Sequence, residues 1–483
     1  MNRQLRRVSL LIMAMFASLF IAATGLQFVW SDTLNNDPLN SRSIYDSYKT
    51  KRGAILVKGQ PIAQSVPVAD AYFYQRNYAT PMYSSITGFY SMFQGASGIE
   101  SAMNSYLSGK NSSQFFERVN ALFSGNPVSG ANIQLTIDPK VQQVAWEALG
   151  KKRGAVVAID PANGKILALV SKPGFDANLL ATHLGKQAEN NYQKLLDNPT
   201  SPLINRAISG DLYAPGSVFK LVVASAALQS GKYTPNSKLP NPKRYRLPGT
   251  STYIYNSGEG RCGGKSSVSI ADALKLSCNI PFAQLGIALG QDRIRAQAEL
   301  FGFGKTVKIP MAATPSFYPQ NMDDAQTGLS SFGQFDDRVT PLQIAMISAA
   351  IANGGVLMKP TLIENVQSST LALLQNPEPS VFSQPITSDV ANQVKNMMIQ
   401  AVANGVSGNG KIKGVQVAGK TGTAQNGTRQ PYTLWFTGFA PANNPRVAVA
   451  VVIEDGGGMG QSGTGNILAA PIAKKVMQAV INK

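Results

Sequence analysis

A serine and a lysine three residues apart form the first pair in this sequence that could do chemistry. Ser217 and Lys220 lie in the stretch Tyr213-Ala-Pro-Gly-Ser-Val-Phe-Lys220. On a helix this spacing places both side chains on one face, in neighbouring turns. A serine hydroxyl becomes a nucleophile when a nearby base takes its proton. The pair therefore predicts a serine nucleophile with a lysine base, although a capped helix with a solvent-reaching lysine fits the same spacing.

The helix that must position this pair is apolar nearly all round. From Val218 to Leu228 the only polar side chains are Lys220 and Ser225, so the helix belongs inside the protein. A buried ammonium must be paired or lose its proton. Pro215-Gly216 marks the turn into the helix and leaves Ser217 in the first turn, where unpaired backbone N–H groups favour a developing oxyanion.

The scarcity of histidine and cysteine limits the alternatives. His183 is the only histidine, and its context suggests a surface or packing residue. A Ser-His-Asp mechanism would have to use it, and zinc-hydrolase motifs need several histidines. Two cysteines in the chain exclude a multi-cysteine zinc site. The chemistry is therefore expected to run without imidazole, metal or cofactor.

Two later stretches supply what a serine–lysine acyltransferase needs. Ser277-Cys-Asn279 provides a hydroxyl and an amide at the end of a helical pattern, and Lys420-Thr-Gly-Thr423 follows a strand-like run. Gly422 would let a substrate backbone approach that strand closely. Two lysines near one serine would lower each other's pKa, and a positive charge in the last stretch suits a carboxylate.

In this order, Ser-x-x-Lys, Ser-x-Asn and Lys-Thr-Gly resemble the motif set of penicillin-binding proteins and class A β-lactamases. The resemblance extends over nearly the whole chain to class B penicillin-binding proteins, and most closely to the short actinobacterial enzymes of the penicillin-binding protein A type. The further segments that carry it are Asn205-Arg-Ala207, Phe332-Gly-Gln334, Thr340-Pro-Leu-Gln343, Ala352-Asn-Gly-Gly355, Arg52-Gly53 and Gly95-Ala-Ser-Gly-Ile-Glu100.

This resemblance implies a peptidoglycan D,D-transpeptidase. Ser217 would attack the carbonyl between the two terminal D-alanines of a stem peptide, form an acyl-enzyme and pass the acyl group to an amine of a neighbouring stem. Lys220 would take the Ser217 proton, and Ser277 would relay a proton to the leaving D-alanine. Whether Lys220 or Lys420 is the working base stays open.

The resemblance also implies the substrate contacts. Asn279 and Lys420 would orient the substrate, and the N–H groups of Ser217 and Thr423 would form the oxyanion hole. The hydroxyls of Thr421 and Thr423 would hold the terminal carboxylate. β-Lactam antibiotics would acylate the same serine.

Two other uses of these motifs remain as alternatives. A β-lactamase of the class A type needs a glutamate-activated water, yet the only glutamate between Asn279 and Glu364 is Glu299, and Phe303 stands where the family has asparagine. A β-lactam receptor would be acylated without transpeptidation, but the seven residues before the apolar N-terminal run leave little to transmit a signal.

The two cysteines form a candidate disulfide. Cys262 and Cys278 are expected in a disulfide-permissive compartment, where a bond would pin the loop at residues 258–267 against Ser277 and Asn279. Closing a loop of this size would stabilise the fold by about 3 kcal/mol in the chain-entropy model. Two free thiols are the alternative.

The N-terminus predicts a single-pass membrane anchor. From Val8 to Val29 there are 22 residues without a charge, enough to cross a bilayer. Arg3, Arg6 and Arg7 precede the run and imply a cytoplasmic N-terminus with an extracytoplasmic catalytic domain. A cleaved signal peptide is the alternative, with Ala22-Ala-Thr-Gly25 as a small-residue site.

The charge and the absence of a polymerase motif indicate the partners. The net charge of +18 is spread along the chain without a dense basic run, which favours anionic lipids or envelope polymers over nucleic acid. A glycosyltransferase motif of the family includes histidine, and the first 182 residues have none. The resemblance therefore implies that a partner polymerises the glycan, and the partner expected from it is a membrane-embedded polymerase of the SEDS family.

The fold class predicted is α+β, in the manner of penicillin-binding transpeptidases and β-lactamases. Strand-like patterns at residues 155–170 and 414–454 enclose helical patterns, which suggests an antiparallel sheet assembled from both ends of the domain with helices against it. The predicted divisions are a cytoplasmic tip and anchor at 1–30, a small mixed pedestal domain at 31–138 and a transpeptidase domain at 139–483.

Overall fold

The computed structural model describes residues 2–31, 34, 48–125, 128–258 and 260–482. Residues 31–50 are polar and short of core residues, which predicts a stalk or lead-in, and most of them lie outside these ranges. The α-helices are Asn2–Thr24, Ser84–Thr87, Gly98–Ala102, Asn104–Leu107, Phe115–Ser124, Pro139–Leu149, Gly185–Leu196, Lys220–Gln229, Ile270–Lys275, Asn279–Leu289, Gln291–Leu300, Asp324–Ser330, Pro341–Ala352, Ser388–Ala403 and Ala470–Ile481.

The strands, numbered in chain order, are short near the N-terminus and longest near the C-terminus. They are β1 (Ile55–Val57), β2 (Gln60–Pro67), β3 (Tyr74–Tyr78), β4 (Tyr90–Ser91), β5 (Gly95–Ala96), β6 (Asn132–Leu135), β7 (Gly154–Ile159), β8 (Ile166–Lys172), β9 (Lys238–Pro240), β10 (Arg244–Arg246), β11 (Tyr253–Tyr255), β12 (Ser267–Ser269), β13 (Leu357–Met358), β14 (Ile363–Gln367), β15 (Leu373–Gln375), β16 (Val381–Ser383), β17 (Ala418–Ala424), β18 (Thr433–Ala440) and β19 (Val447–Ile453).

The first helix is exposed along its length. It continues through the π-helical turn Gly25–Val29, and within the span Arg3–Val29 an 18-residue window has a mean hydropathy of 2.1 with none of it buried. By length and composition it could cross a membrane, as the sequence predicted.

A six-stranded sheet forms the core of the region predicted as a pedestal. Its order is β15-β14-β6-β1-β2-β3, and β1 pairs with β6 in parallel while the other neighbours are antiparallel. Two of its strands, β14 and β15, come from the chain more than 200 residues beyond β6. The predicted range 31–138 therefore omits two strands of this sheet.

A five-stranded antiparallel sheet organises the rest of the chain. Its order is β17-β18-β19-β7-β8, so strands near both ends of the predicted domain meet, and the predicted α+β architecture is confirmed. Residues 160–165 turn β7 back into the antiparallel β8, and Gly164 in this turn has a φ of +77°, which favours glycine.

Helices cover this sheet on both faces. Along β19, Ala448 and Ala450 belong to the larger core, which includes the helix Pro341–Ala352, while Val449 belongs to a second core with the helices Pro139–Leu149 and Ala470–Ile481. Alternate residues of a strand point to opposite faces, so every residue of β19 is buried. The strand β17 lies at one edge of the sheet, so its outer side is not paired with another strand.

Candidate active site

Ser217 lies in a tight turn pressed against the edge strand. The segment Gly216–Val218 is a single 3-10 turn, and the α-helix Lys220–Gln229 follows it. A Cβ atom at Gly216, which has a φ of +54°, would lie 3.1 Å from the backbone of Thr423. Glycine therefore allows the turn to approach β17. The half-buried Ser217 side chain makes no hydrogen bond to the part of the chain that the structure describes.

Lys220 is fully buried and directed at the second motif. Its Nζ donates to the backbone carbonyl of Ser277 and to Oδ1 of Asn279, each at 2.8 Å, and lies 3.4 Å from the Ser277 hydroxyl. Burial, and then the nearby charge of Lys420, hold the pKa of Lys220 well below its usual range. The neutral amine, which can accept a proton, is therefore favoured.

Lys420 approaches the same serine from β17. Its Nζ donates to the Ser277 hydroxyl at 2.7 Å and to the carbonyl of Thr421 at 2.9 Å. Burial lowers the pKa of Lys420 to about 7. Neither Lys220 nor Lys420 forms an ion pair with a carboxylate among the described residues. Ser277 thus lies between two amines that carry no counter-charge.

The loop that presents Ser277 is conformationally unusual. Ser277 has a φ of +60° between the helices Ile270–Lys275 and Asn279–Leu289, a left-handed conformation that costs free energy for a residue with a Cβ. The adjacent Cys278 is joined to Cys262 by a disulfide. The bond ties the loop around residue 262 to the second motif, as the sequence proposed.

The third motif lies along β17, and its two threonines differ in burial and in their hydrogen-bond partners. The hydroxyl of Thr421 is buried and lies 3.2 Å from the hydroxyl of Ser407. Thr423 is half-buried, and its hydroxyl accepts a hydrogen bond from the N–H of Gly465 at 3.3 Å. A Cβ at Gly422 would lie 3.0 Å from the carbonyl of Pro215, so this glycine lets the nucleophile turn, as well as a substrate, lie close to the strand.

Two residues that support the site were not predicted from the sequence. Asn256 accepts hydrogen bonds through Oδ1 from the N–H groups of Asn279 and Ile280 at 3.0 and 3.1 Å. Ser407 accepts one from the N–H of Thr421 at 3.1 Å. The partners are 23 or 24 and 14 positions apart, and no local pattern announces such pairings.

Family models match most of the chain. A model described as the penicillin binding protein transpeptidase domain matches residues 154–478, and one described as the penicillin binding protein A dimerisation domain matches residues 52–133.

Individual relatives match from end to end. The chain is 40% identical over 494 residues to the peptidoglycan D,D-transpeptidase PbpA of Mycolicibacterium smegmatis, with all of both chains covered. It is 39% identical over 491 residues to PbpA of Mycobacterium tuberculosis, covering 100% of this chain and 99% of that one.

Solved structures agree with these matches. The ceftriaxone acyl-enzyme complex of penicillin-binding protein A from M. tuberculosis superposes with a TM-score of 0.87 at 38% identity, over 90% of this chain and 100% of that one. The penicillin G acyl-enzyme complex of the same protein gives a TM-score of 0.85 at 38% identity, over 89% and 100% of the two chains.

Proposed function

Because the chain belongs to the penicillin-binding protein transpeptidases, we propose that it is a peptidoglycan D,D-transpeptidase with Ser217 as its nucleophile. The observation that supports this assignment best is the pair of buried lysines. Lys220 and Lys420 both contact Ser277 and both have lowered pKa values. Buried amines without counter-charges are available as proton acceptors at neutral pH.

The acylation step begins with the Ser217 hydroxyl. Its oxygen attacks the carbonyl carbon between the two terminal D-alanines, and the neutral amine of Lys220 takes its proton. The N–H groups of Ser217 and Thr423 stabilise the oxyanion of the tetrahedral intermediate. When the carbon–nitrogen bond breaks, the leaving amine receives a proton through the hydroxyl of Ser277, which lies between the two lysine amines. Ser217 is left as an ester.

The second half of the reaction transfers the acyl group and returns the enzyme to its starting state. An amine of a neighbouring stem attacks the ester carbonyl and gives up a proton to Lys220 through the same hydroxyl. The new amide is the cross-link, and the Ser217 oxygen recovers its proton. Because the attacking group is an amine, the site must keep water from reaching the ester first.

The remaining motif residues bind the donor peptide. Asn279 and the free side of β17 at Gly422 orient its backbone. The charge that Lys420 keeps below its pKa of about 7, with the threonine hydroxyls of the motif, attracts the terminal carboxylate. Of these hydroxyls, Thr423 supports the role better, because the Thr421 hydroxyl is buried against Ser407.

Hydrolysis of the acyl-enzyme is disfavoured by the residues near the nucleophile helix. Phe303 is buried, with its ring 5.9 Å from that of Phe219, so this position offers no polar group to hold a water molecule. Glu299 is exposed on the helix Gln291–Leu300. A receptor role has no observation in its favour.

The cellular setting is part of the same proposal. The N-terminal helix anchors the protein in the cell membrane, with Arg3, Arg6 and Arg7 on the cytoplasmic side and the catalytic domain outside. A membrane-embedded SEDS-family polymerase supplies the glycan strands whose stems this enzyme cross-links.

Mass spectrometry after incubation with penicillin tests the assignment. We expect one long-lived adduct, located on Ser217 by peptide mapping and absent from a Ser217→Ala variant. A Ser209→Ala variant, which removes another serine from the same lead-in, should still form the adduct. Rapid release of penicilloate would instead identify a β-lactamase, and an adduct on another residue would refute Ser217 as the nucleophile.

A further inference from the structure

The segment that leads into Ser217 is held by residues outside the three motifs. The Ser217 side chain has no hydrogen-bond partner among the described residues, so the backbone on either side of it must fix its position. The N–H and carbonyl of Tyr213 pair with Val339 at 3.1 and 2.9 Å, and the N–H of Gly216 donates to the carbonyl of Gly333 at 2.8 Å. These backbone contacts hold one side of the segment.

The other side is held by one side chain in the five-stranded sheet and one that directly follows it. The hydroxyl of Tyr213 donates to Oε1 of Glu454 at 2.6 Å, directly after β19. The indole N–H of Trp435, in β18, donates to the carbonyl of Ala214 at 3.0 Å. The rings of Tyr213 and Trp435 meet edge to face at 5.9 Å.

Glu454 is itself fixed by two arginines. Arg206 Nε donates to Oε1 at 2.9 Å, and Arg153 donates to Oε2 from Nη2 at 2.7 Å and from Nε at 2.8 Å. The N–H of Glu454 also donates to the carbonyl of Arg153 at 2.9 Å. A carboxylate held by two cations and a backbone bond is a rigid acceptor, so the hydroxyl of Tyr213 has a fixed point to bind.

This arrangement ties the nucleophile to the strand that binds substrate. Trp435 is paired with Gly422 across β17 and β18, and with Val452 across β18 and β19. The position of Ser217 relative to the N–H of Thr423 is therefore set through the sheet. Acyl transfer is sensitive to such positions, because a misplacement of 1 Å can cost roughly a hundredfold in rate.

We propose that Glu454, acting through the hydroxyl of Tyr213, is a positioning residue for Ser217 in acyl transfer, and that Trp435 is its counterpart on Ala214. The proposal rests on Ser217 as the nucleophile. Neither Glu454 nor Trp435 touches the reacting atoms. Their contribution lies in holding the serine at attacking distance once substrate is bound, so they should affect the acylation step rather than the initial binding of substrate.

Tyr213→Phe in the full-length protein isolates this contribution, because it keeps the ring against Trp435 and the two ion pairs of Glu454. Rapid-mixing kinetics with a fluorescent penicillin separate the dissociation constant of the initial complex from the acylation rate constant. We expect the rate constant to fall about tenfold, which is less than the roughly hundredfold loss that a 1 Å misplacement can cause. The dissociation constant and the pH profile should be unchanged. Rates are counted only for molecules that form the Ser217 adduct, which excludes unfolded protein.

Tyr318→Phe is the matched control. Tyr318 is also buried and stacks on Phe219 near the nucleophile helix, with ring centroids 5.5 Å apart, but it does not contact Glu454 or Ala214. Its loss should leave the acylation rate constant unchanged. Trp435→Phe is a second test variant, which serves if Tyr213→Phe does not fold. We expect it to lower the acylation rate constant in the same selective way.

Two results would overturn the proposal. One is an unchanged acylation rate constant in both Tyr213→Phe and Trp435→Phe while the adduct still forms on Ser217. The other is an equal loss in Tyr318→Phe. Failure of the wild-type protein to form an adduct on Ser217 would instead refute the proposed nucleophile, so the two failures are distinguishable.

Discussion

Two regions of this protein bury charged side chains, and they do so in opposite ways. Near the six-stranded sheet, Glu100 is fully buried between Arg52 Nε at 2.6 Å and Arg76 Nε at 2.5 Å. At the edge of the five-stranded sheet, Lys220 and Lys420 are equally buried beside Ser277, with no carboxylate partner among the described residues.

The pKa values show what the difference does. Burial alone would raise the pKa of Glu100, but Arg76 and Arg52 outweigh it and lower the pKa, so the carboxylate stays charged. For Lys220, burial and a second cation act in the same direction, and both lower the pKa of the amine. Buried charges that are paired hold a structure together, whereas buried charges left unpaired become reactive.

Removal of Lys220 should have the largest effect. Lys220→Ala eliminates the proposed base, and general bases contribute about a hundredfold to ten-thousandfold. We expect the acylation rate with penicillin to fall about a thousandfold while the protein stays folded, as measured by rapid-mixing kinetics and circular dichroism. Lys275→Ala, which removes a partly exposed lysine paired with Asp272 close to Ser277, should acylate at the wild-type rate. Acylation of Lys220→Ala within about tenfold of wild type would exclude Lys220 as the base.

Removal of Glu100 should give the reverse result, a loss of stability without a loss of chemistry. Glu100→Ala leaves two buried guanidinium groups unpaired, which costs about 3–5 kcal/mol. Denaturant titration should show this loss, while the folded fraction acylates normally. Glu364→Gln is the control, because its ion pair with Lys165 is about one-third exposed and such pairs contribute about 0–1 kcal/mol. Equal stability of Glu100→Ala and wild type would contradict the comparison.

A smaller effect should appear in the pH dependence of stability. The pKa of Lys420 is about 7 in the folded protein and near 10.5 when unfolded, so between these values only the unfolded state binds the proton. Stability therefore rises with pH across this window, by about 2 kcal/mol between pH 7 and pH 9. Denaturant titrations at both pH values should show this increase in the free energy of unfolding for wild type. Lys420→Met should lack it. Lys275→Met should behave as wild type, and an identical slope in Lys420→Met would contradict the lowered pKa.

The sequence predicts the chemical groups of the site more fully than the architecture. Ser217, Lys220, Ser277 and Lys420 could be proposed as site residues because acyl transfer demands particular groups at short, fixed spacings. The fold then brings together groups that are far apart in the chain, such as Ser277 and Lys420 at 143 positions, and no local pattern encodes this arrangement.

What the sequence did not reveal depends on contacts between distant segments. The strands β14 and β15 join the six-stranded sheet from far along the chain, since partner choice depends on which edges remain free after folding. Glu454 was missed for the same reason, because it lies in a glycine-rich loop and its bond to Tyr213 spans 241 positions. The left-handed conformation of Ser277 was also unforeseen, because nothing in Leu276-Ser277-Cys278 requires it.

The central claim, that burial lowers the pKa of both amines beside Ser277 and so makes a proton acceptor available at neutral pH, can be measured directly. NMR titration of isotope-labelled lysine side chains, with the two signals assigned by Lys220→Arg and Lys420→Arg variants, reports both pKa values. The account predicts that Lys420 titrates near pH 7 and that Lys220, lowered further by the charge of Lys420, loses its proton first. Two amines that both remain protonated up to their ordinary pKa of about 10.4 would contradict it.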